Sequence, residues 1–160
     1  MIRVKTCFVA EGVVIDRDTS QISAFGLIED VQVASFPTSL PRIALLCVWE
    51  RMRTDSPQHG AELSVTLNGK DLVRKFIDIS FAQFLRTRTA VRFEGLTLAE
   101  PGNLIFRLAL PGHAVAEWVI MASVAAPAAP STVSAAGTGR VYDSGDVSIS
   151  VASASVKQPF

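Results

Sequence analysis

Three arginines at alternating positions of one predicted strand are the side chains best suited to bind a ligand. Arg86, Arg88 and Arg92 fall on one face of the stretch Arg86–Leu98, because successive residues of a strand point to opposite faces. Guanidinium groups donate paired hydrogen bonds to phosphate and carboxylate groups, so this row is a candidate contact for an anion or a partner. The alternative is a solvated outer face in which the arginines pair with nearby carboxylates such as Glu94, and the formal net charge of zero favours it.

The aspartates and histidines of the chain are candidates for metal ligands. Asp16 and Asp18 lie in one predicted loop, but calcium takes about six to eight oxygen ligands, so an Asx-turn is the favoured interpretation. His59 and His113 each lie beside a glycine, without further ligand-type residues at the spacing of a metal site. We therefore expect solvated loop histidines, and the sequence predicts no catalytic residue, no metal and no cofactor.

The two cysteines, Cys7 and Cys47, each lie within an apolar, strand-like run. Cysteine in such a setting packs as a small apolar side chain, which predicts buried, reduced thiols that react slowly. The alternative is a disulfide between neighbouring sheets, which would need an oxidising compartment. The first ten residues lack the uninterrupted apolar stretch of a signal peptide, so we expect a cytoplasmic protein.

The chain is organised around one predicted β-hairpin. Polar and apolar residues alternate at the two-residue period of a half-buried strand before Asn68-Gly69, the pair that best adopts a type I′ turn. The two-residue loop fixes the register and gives three predicted cross-strand pairs: Leu67 with Lys70, Val65 with Leu72, and Glu62 with Lys75. This hairpin indicates an antiparallel β protein.

The rest of residues 1–124 contains further strand-like segments separated by turn residues, and none shows helical periodicity. The predicted strands outside the hairpin are Arg3–Ile15, Ile22–Val33, Ile43–Met52, Arg86–Leu98, Leu104–Leu110 and Ala114–Val124. Phe36–Pro41 and Thr54–Gly60 are predicted loops, the first because it contains two prolines. About eight strands at regular spacing predict an all-β fold, an antiparallel β-sandwich that is immunoglobulin-like or C2-like.

The composition changes after residue 124. Residues 125–139 are rich in Ala, Pro and Ser, which is typical of a flexible linker. Residues 140–160 form a low-complexity tail with one possible strand, because Val147, Ile149 and Val151 alternate with serines. We expect Asp146–Val151 to pair with a sheet edge, either of its own chain or of a neighbour; the alternative is a disordered, solvated tail.

Composition and charge exclude several classes of partner. Of the 160 residues, 49% are hydrophobic, and mean hydropathy is +0.34, which is enough for a substantial core. Fifteen basic residues balance fifteen acidic ones, so no positive surface is expected to bind nucleic acid or an anionic membrane. No apolar run approaches the ~18 residues of a transmembrane helix.

Four local features carry a resemblance to a known family. They are the strand containing Cys7, the run Phe25-Gly26-Leu27-Ile28-Glu29-Asp30-Val31, Phe36-Pro37, and Glu100-Pro101-Gly102. With these features the chain resembles, over residues 2–124, a family of small bacterial proteins catalogued only as a domain of unknown function. The resemblance implies a compact β-sandwich, with no assigned activity and no functional residues.

The sequence favours a non-catalytic binding or assembly module, since it shows a rigid scaffold with loops and no motif for chemistry. The expected partner is a protein, bound by sheet-edge pairing or by homo-oligomerisation. The alternative is a small enzyme whose site is assembled from residues distant in sequence.

Overall fold

The computed structural model describes residues 1–16, 18–19, 21–126 and 148–155, the last segment for its main chain only. It contains ten strands and, among these residues, no helix, so the all-β prediction is confirmed. The strands are β1 Arg3–Ile15, β2 Ile22–Leu27, β3 Asp30–Val33, β4 Thr38–Glu50, β5 Gln58–Leu67, β6 Lys70–Ser80, β7 Arg86–Leu98, β8 Gly102–Ala109, β9 Val115–Val124 and β10 Ser148–Ser155.

The strands form two five-stranded sheets that pack face to face, which confirms the β-sandwich. The first sheet has the order β10-β7-β4-β1-β2, and the second has the order β3-β9-β8-β5-β6. Neighbouring strands are antiparallel except for β3 and β9, which are parallel. The first sheet carries the arginines and cysteines of interest, and the second carries the predicted hairpin as β5 and β6.

The core between the sheets follows from the alternation of side chains along the strands. In β5, every second residue from Ala61 to Leu67 is buried and its neighbours are half-buried. Phe93 of the first sheet meets Phe106 of the second edge to face, with ring centroids 5.4 Å apart, a favourable geometry for aromatic pairs. Trp49 is fully buried, and Trp118 is half-buried and packs against this core.

The predicted single strand Ile22–Val33 is wrong, because the chain changes sheets within it. Gly26 has a φ of +64°, a conformation that favours glycine, and β2 ends one residue later. The Ile28 N–H still donates to the Val9 carbonyl of the first sheet at 2.9 Å. The Ile28 carbonyl accepts a hydrogen bond from the Trp118 indole of the second sheet at 2.7 Å. Ile28 thus joins the two sheets, and β3 begins beside β9.

The predicted type I′ turn is confirmed, since Asn68 and Gly69 have φ angles of +49° and +80°. The turn is also held from outside. The Asn68 side chain donates to the Pro101 carbonyl at 3.0 Å and accepts from the Asn103 N–H at 3.0 Å. This docking connects the start of β8, at Pro101 and Gly102, to the turn between β5 and β6.

The predicted register of the hairpin is wrong beyond its first pairs. A β-bulge between Val65 and Thr66 moves the partner of Val65 from Leu72 to Val73, and the partner of Glu62 from Lys75 to Phe76. A bulge inserts one unpaired residue and shifts every later pair. Instead of Lys75, Arg74 makes the ion pair with Glu62, at 2.9 Å.

Both predicted loops are shorter than expected. β4 begins at Thr38 and includes Pro41, and β5 already begins at Gln58. Pro41 is tolerated because the pairing of β4 with β1 ends at Ala44, so at Pro41 only β7 lies beside the strand. A proline cannot donate to a ladder, and it is acceptable where one side has no strand neighbour.

The C-terminal strand β10 pairs antiparallel with β7, from Ser148 opposite Glu94 to Ser155 opposite Thr87. The part of the predicted tail strand from Ser148 onward therefore lies at an edge of the first sheet of its own chain. Asp146, Val147 and residues 127–139 of the predicted linker lie outside the described residues. In the part of the chain that the structure describes, no helix has the length and hydropathy needed to cross a bilayer.

Candidate functional site

The three arginines lie on the outer face of β7, as predicted, and Thr87, Thr89 and buried apolar residues occupy its inner face. Arg86 donates from Nε to Glu50 Oε1 at 2.9 Å. The Arg86 hydrogen bond, aided by the charge of Lys5, lowers the pKa of the Glu50 carboxyl, although partial burial opposes this. Arg86 is therefore bound to a carboxylate of its own chain, as the solvated-face alternative expects.

Arg92 is directed toward a different part of the same face. Its Nη2 donates to the Val13 carbonyl at 3.2 Å, passing over Ala44, its partner in β4. Arg88 lies between the other two and is half-buried. Because Arg86 and Arg92 are six residues apart, about 20 Å along the strand, they do not converge on one small anion. A contact of the row with a partner stays a prediction.

The reach of Arg92 to Val13 shows how the first sheet is covered on its outside. β1 pairs with β4 over residues 3–10 and with β2 over residues 10–15, so the far half of the β1–β2 hairpin separates from β4 after Ala10. We call residues 11–15 and 22–27 the hairpin arm. The arm helps to bury a second apolar cluster, which contains Val13, Ala44, Leu46 and Ala90, with Phe8, Ile15 and Ile22 packed against it.

Two surface cavities adjoin the hairpin arm. The first, of about 610 Å³, is lined by Glu11, Gly12, Val13, Val14, Phe25, Arg42, Ala44, Arg92 and Glu94. The second, of about 540 Å³, is lined by Glu11, Leu27, Ile28, Asp30, Val31, Gln32, Leu40, Pro41, Arg42 and Ile43. Glu11 and Arg42 line both cavities, so the two lie side by side along the arm. Their walls combine apolar residues with charges of both signs.

The outer edge of β2 is the most exposed apolar feature beside these cavities. No strand pairs with this edge among the described residues, and the sequence ISAFGL contains no charged residue. Phe25 is 57% exposed and Leu27 is 55% exposed. The Phe25 ring lies over Gly12, where a side chain would collide with it. Glycine at position 12 therefore allows Phe25 to lie along the arm.

The other sheet edges offer less to an incoming strand. β6 carries charged residues along its length, among them Lys70, Asp71 and Lys75, and such charges protect natural edges from pairing. β3 has four residues, which gives a short ladder. β10 is uncharged, but apart from Ile149 and Val151 it consists of Ser and Ala, which provide little apolar area. Of the edges, β2 combines an open backbone with large apolar side chains.

The histidines predicted to be solvated in loops lie together at one end of the sandwich. His59 belongs to β5 and not to a loop, and His113 lies in the β8–β9 turn. Their ring centroids are 4.9 Å apart in an edge-to-face arrangement. His59 Nε2 lies 2.9 Å from the Ser56 carbonyl. In the described part of the chain, no group of three or more His, Cys, Asp or Glu is placed to hold a metal ion.

Asp16 forms the predicted Asx-turn, because its Oδ1 accepts hydrogen bonds from the N–H groups of Asp18 and Thr19, at 2.9 and 2.7 Å. These hydrogen bonds, with that of the Thr19 side chain, lower the pKa of the Asp16 carboxyl. Cys7 and Cys47 are both free thiols. They lie on neighbouring strands of one sheet, so the alternative of a disulfide between two sheets is wrong.

The residues of the β2 edge were not identified from the sequence as a site. The signal was the run ISAFGL, two large apolar residues in an uncharged segment. The sequence predicts this run as the start of a longer strand, Ile22–Val33, whereas in the structure β2 ends at Leu27 and has no strand neighbour on its outer edge among the described residues. Glu11 and Arg42 gave no signal, because their shared position depends on the folded arm.

Comparison with known proteins identifies a family but no activity. A family model described as a family of unknown function (DUF6941) matches residues 5–122. The chain belongs to this family, and the resemblance inferred from the sequence is confirmed. No curated protein and no solved structure matches the chain.

Proposed function

We propose that this member of the family is a non-catalytic protein-binding module, which adds an extended segment of a partner protein to the open edge of β2. The observation that carries this proposal is the uncharged β2 edge with Phe25 and Leu27 more than half exposed. Strand addition at an open edge is a common mode of peptide recognition, in which main-chain hydrogen bonds supply affinity and side-chain pockets supply specificity.

The two cavities provide the pockets that this mode requires. Phe25 lines the first cavity and Leu27 lines the second, so the two exposed apolar side chains of β2 also border both cavities. Alternate side chains of the incoming segment would point toward the sheet faces on which the cavities open. We expect the segment to alternate apolar and polar residues, with its apolar residues against Phe25 and Leu27 and its polar ones near Arg42 and Glu11.

The experiment that tests the proposal selects peptides long enough to form one strand from a random library displayed on phage, using the full chain as bait. Enriched peptides are then measured for affinity against Phe25→Glu, Leu27→Glu and the control Phe76→Glu. Phe76 is a matched control, since it is 79% exposed and lies on β6 of the other sheet. We expect the first two substitutions to weaken binding about tenfold or more, which is ~1.4 kcal/mol, and the control to leave it unchanged.

Hydrogen exchange of the bound complex locates the segment. Slowed exchange of β2 amides supports strand addition there, and peptides that bind equally well to all three variants contradict it. A library that yields no binder also contradicts it. Sedimentation analysis tests whether the occupant is a second copy of the chain. A wild-type dimer that becomes monomeric in Phe25→Glu would show that a second copy, and not another protein, binds at the β2 edge. The alternative of a small enzyme stays a prediction.

A further inference from the structure

The two cysteines face each other across β1 and β4 in the middle of the first sheet. Cys7 and Cys47 are direct partners in the antiparallel register, and their Sγ atoms lie 3.1 Å apart. Facing residues of an antiparallel pair have Cα atoms about 4.5 to 5.5 Å apart. Disulfides need a Cα separation of about 4.4 to 6.8 Å, so the main chain already satisfies the geometry of a cross-strand bridge.

The two thiols differ in their access to solvent. Cys47 is 0% exposed within the core, whereas Cys7 is half-buried at its margin. The hydrogen bond with Cys7, together with burial, raises the pKa of the Cys47 thiol well above its ordinary value. Cys47 therefore remains protonated at neutral pH, and a reagent from solvent meets Cys7 first, since the thiolate is the reactive form and access is required.

A buried threonine lies beside the cysteine pair, on the neighbouring strand β7. Thr89 of β7 pairs with Cys47, and it is fully buried with no hydrogen-bond partner for Oγ1 among the described residues. Buried hydroxyl groups are normally satisfied. Thr89 therefore places an unsatisfied hydroxyl at the register position beside Cys47.

We propose that Cys7 and Cys47 form a redox site that closes reversibly into a cross-strand disulfide when it meets a low-molecular-weight disulfide such as oxidised glutathione. The site is independent of the β2 edge. The proposal departs from the prediction of two buried, slowly reacting thiols, because Cys7 is half-buried and the two sulfur atoms act together.

The reaction proceeds in two balanced exchange steps. The Cys7 sulfur attacks one sulfur of the glutathione disulfide, and a mixed disulfide forms while one glutathione leaves with the proton of Cys7. The Cys47 sulfur then attacks the Cys7 sulfur and expels the second glutathione, which takes the proton of Cys47. The two cysteines are oxidised by two electrons in total, and one glutathione disulfide is reduced to two thiols.

Closing the bridge constrains the unfolded chain, because Cys7 and Cys47 are 40 residues apart. The loss of chain entropy in the unfolded state raises stability more for long loops than for short ones. We expect oxidation to raise the urea midpoint of the full chain by about 1 M or more. The same change is expected to be absent in any variant that lacks one of the two thiols.

The test incubates the folded, reduced full chain in glutathione buffers of increasing oxidised fraction, quenches with acid and measures the intact mass. The wild type is expected to lose two hydrogen atoms per chain and to yield a peptide that joins Cys7 to Cys47. Cys47→Ala is expected to stop at the mixed disulfide on Cys7, because the second thiol is missing. Cys7→Ser is expected to remain unmodified, because Cys47 is buried.

Three outcomes would overturn the proposal. The wild type could remain reduced in fully oxidised glutathione, it could accumulate the mixed disulfide as Cys47→Ala does, or it could form the bridge only after urea is added. The wild-type measurement decides among these without relying on the folding of any variant. Return of the original mass on addition of reduced glutathione establishes that the bridge is reversible.

Discussion

Two threonines on the inner face of β7 provide a matched test of how the core treats a buried hydroxyl. Thr87 and Thr89 are both 0% exposed and are two residues apart on the same face of the strand. Thr87 Oγ1 donates to the Ser80 carbonyl at 2.7 Å. Thr89 Oγ1 has no hydrogen-bond partner among the described residues. The same substitution at the two sites should therefore change stability in opposite directions.

Valine is the appropriate replacement, since it keeps the branched shape of threonine and exchanges the hydroxyl for a methyl group. Thr87→Val removes a buried hydrogen bond and leaves the Ser80 carbonyl without this donor, so we expect the free energy of unfolding to fall by about 1–2 kcal/mol. Thr89→Val removes a buried hydroxyl that lost its hydrogen bonds to water on folding and forms none within the protein. We expect the free energy of unfolding to rise by about 1 kcal/mol.

Urea unfolding followed by tryptophan fluorescence measures both changes, because Trp49 is fully buried in the same core. With an m-value of about 1–3 kcal/mol/M, the two midpoints should move in opposite directions by roughly 0.5 M each. A Thr89→Val midpoint that falls as far as that of Thr87→Val would show that the Thr89 hydroxyl is hydrogen-bonded.

Two further predictions concern the turn and one ion pair. Gly69→Val should lower the free energy of unfolding by about 1 kcal/mol or more, because a β-branched residue resists the positive φ of the turn. The control is Gly60→Val, at a position without positive φ and with open space around it. Equal urea midpoints for the two variants would contradict this prediction. Glu50 has a lowered pKa mainly through Arg86, so its carboxylate stabilises the fold above the ordinary glutamate pKa of about 4.3 and this contribution is lost as pH falls through the lowered value. The difference in unfolding free energy between wild type and Glu50→Gln should therefore shrink from pH 7 to pH 3. The control is Glu94→Gln, because Glu94 pairs with Arg42 at an exposed position. A difference that stays constant with pH, or an equal trend in the control, would refute the prediction.

The main features of the fold could be predicted because they depend on local patterns. The boundaries of β1 and β7 follow from runs of strand-forming residues bounded by turns, and Asn68-Gly69 specifies its turn through backbone conformation. The bulge after Val65 could not be predicted, because the alternation of apolar residues fits a regular ladder equally well. At this position β5 also pairs with β8, a contact between distant segments that the alternation does not specify.

The candidate site was harder to predict, because it depends on contacts between distant segments. The arginine row was visible as alternation within β7, and the structure places it on the expected face. What each arginine contacts depends on β4 and on the hairpin arm, which the alternation does not specify. The change of sheets at Ile28 needs both Gly26 and the indole of Trp118, which is 90 residues away. Without that crossing, β2 has no open edge to recognise.

The apolar character of β4 explains why the hairpin arm exists at all. Ile43, Leu45 and Cys47 face the main core, while Ala44 and Leu46 face outward. A strand that is apolar on both faces must be covered on both faces, yet the second sheet covers only one. The arm of β1 and β2 covers the other by folding over Ala44 and Leu46. In doing so the arm leaves the pairing with β4 after Ala10, and no strand among the described residues pairs with the outer edge of β2. The same hydrophobic demand that completes the core therefore creates the open edge at which we propose a partner strand to bind.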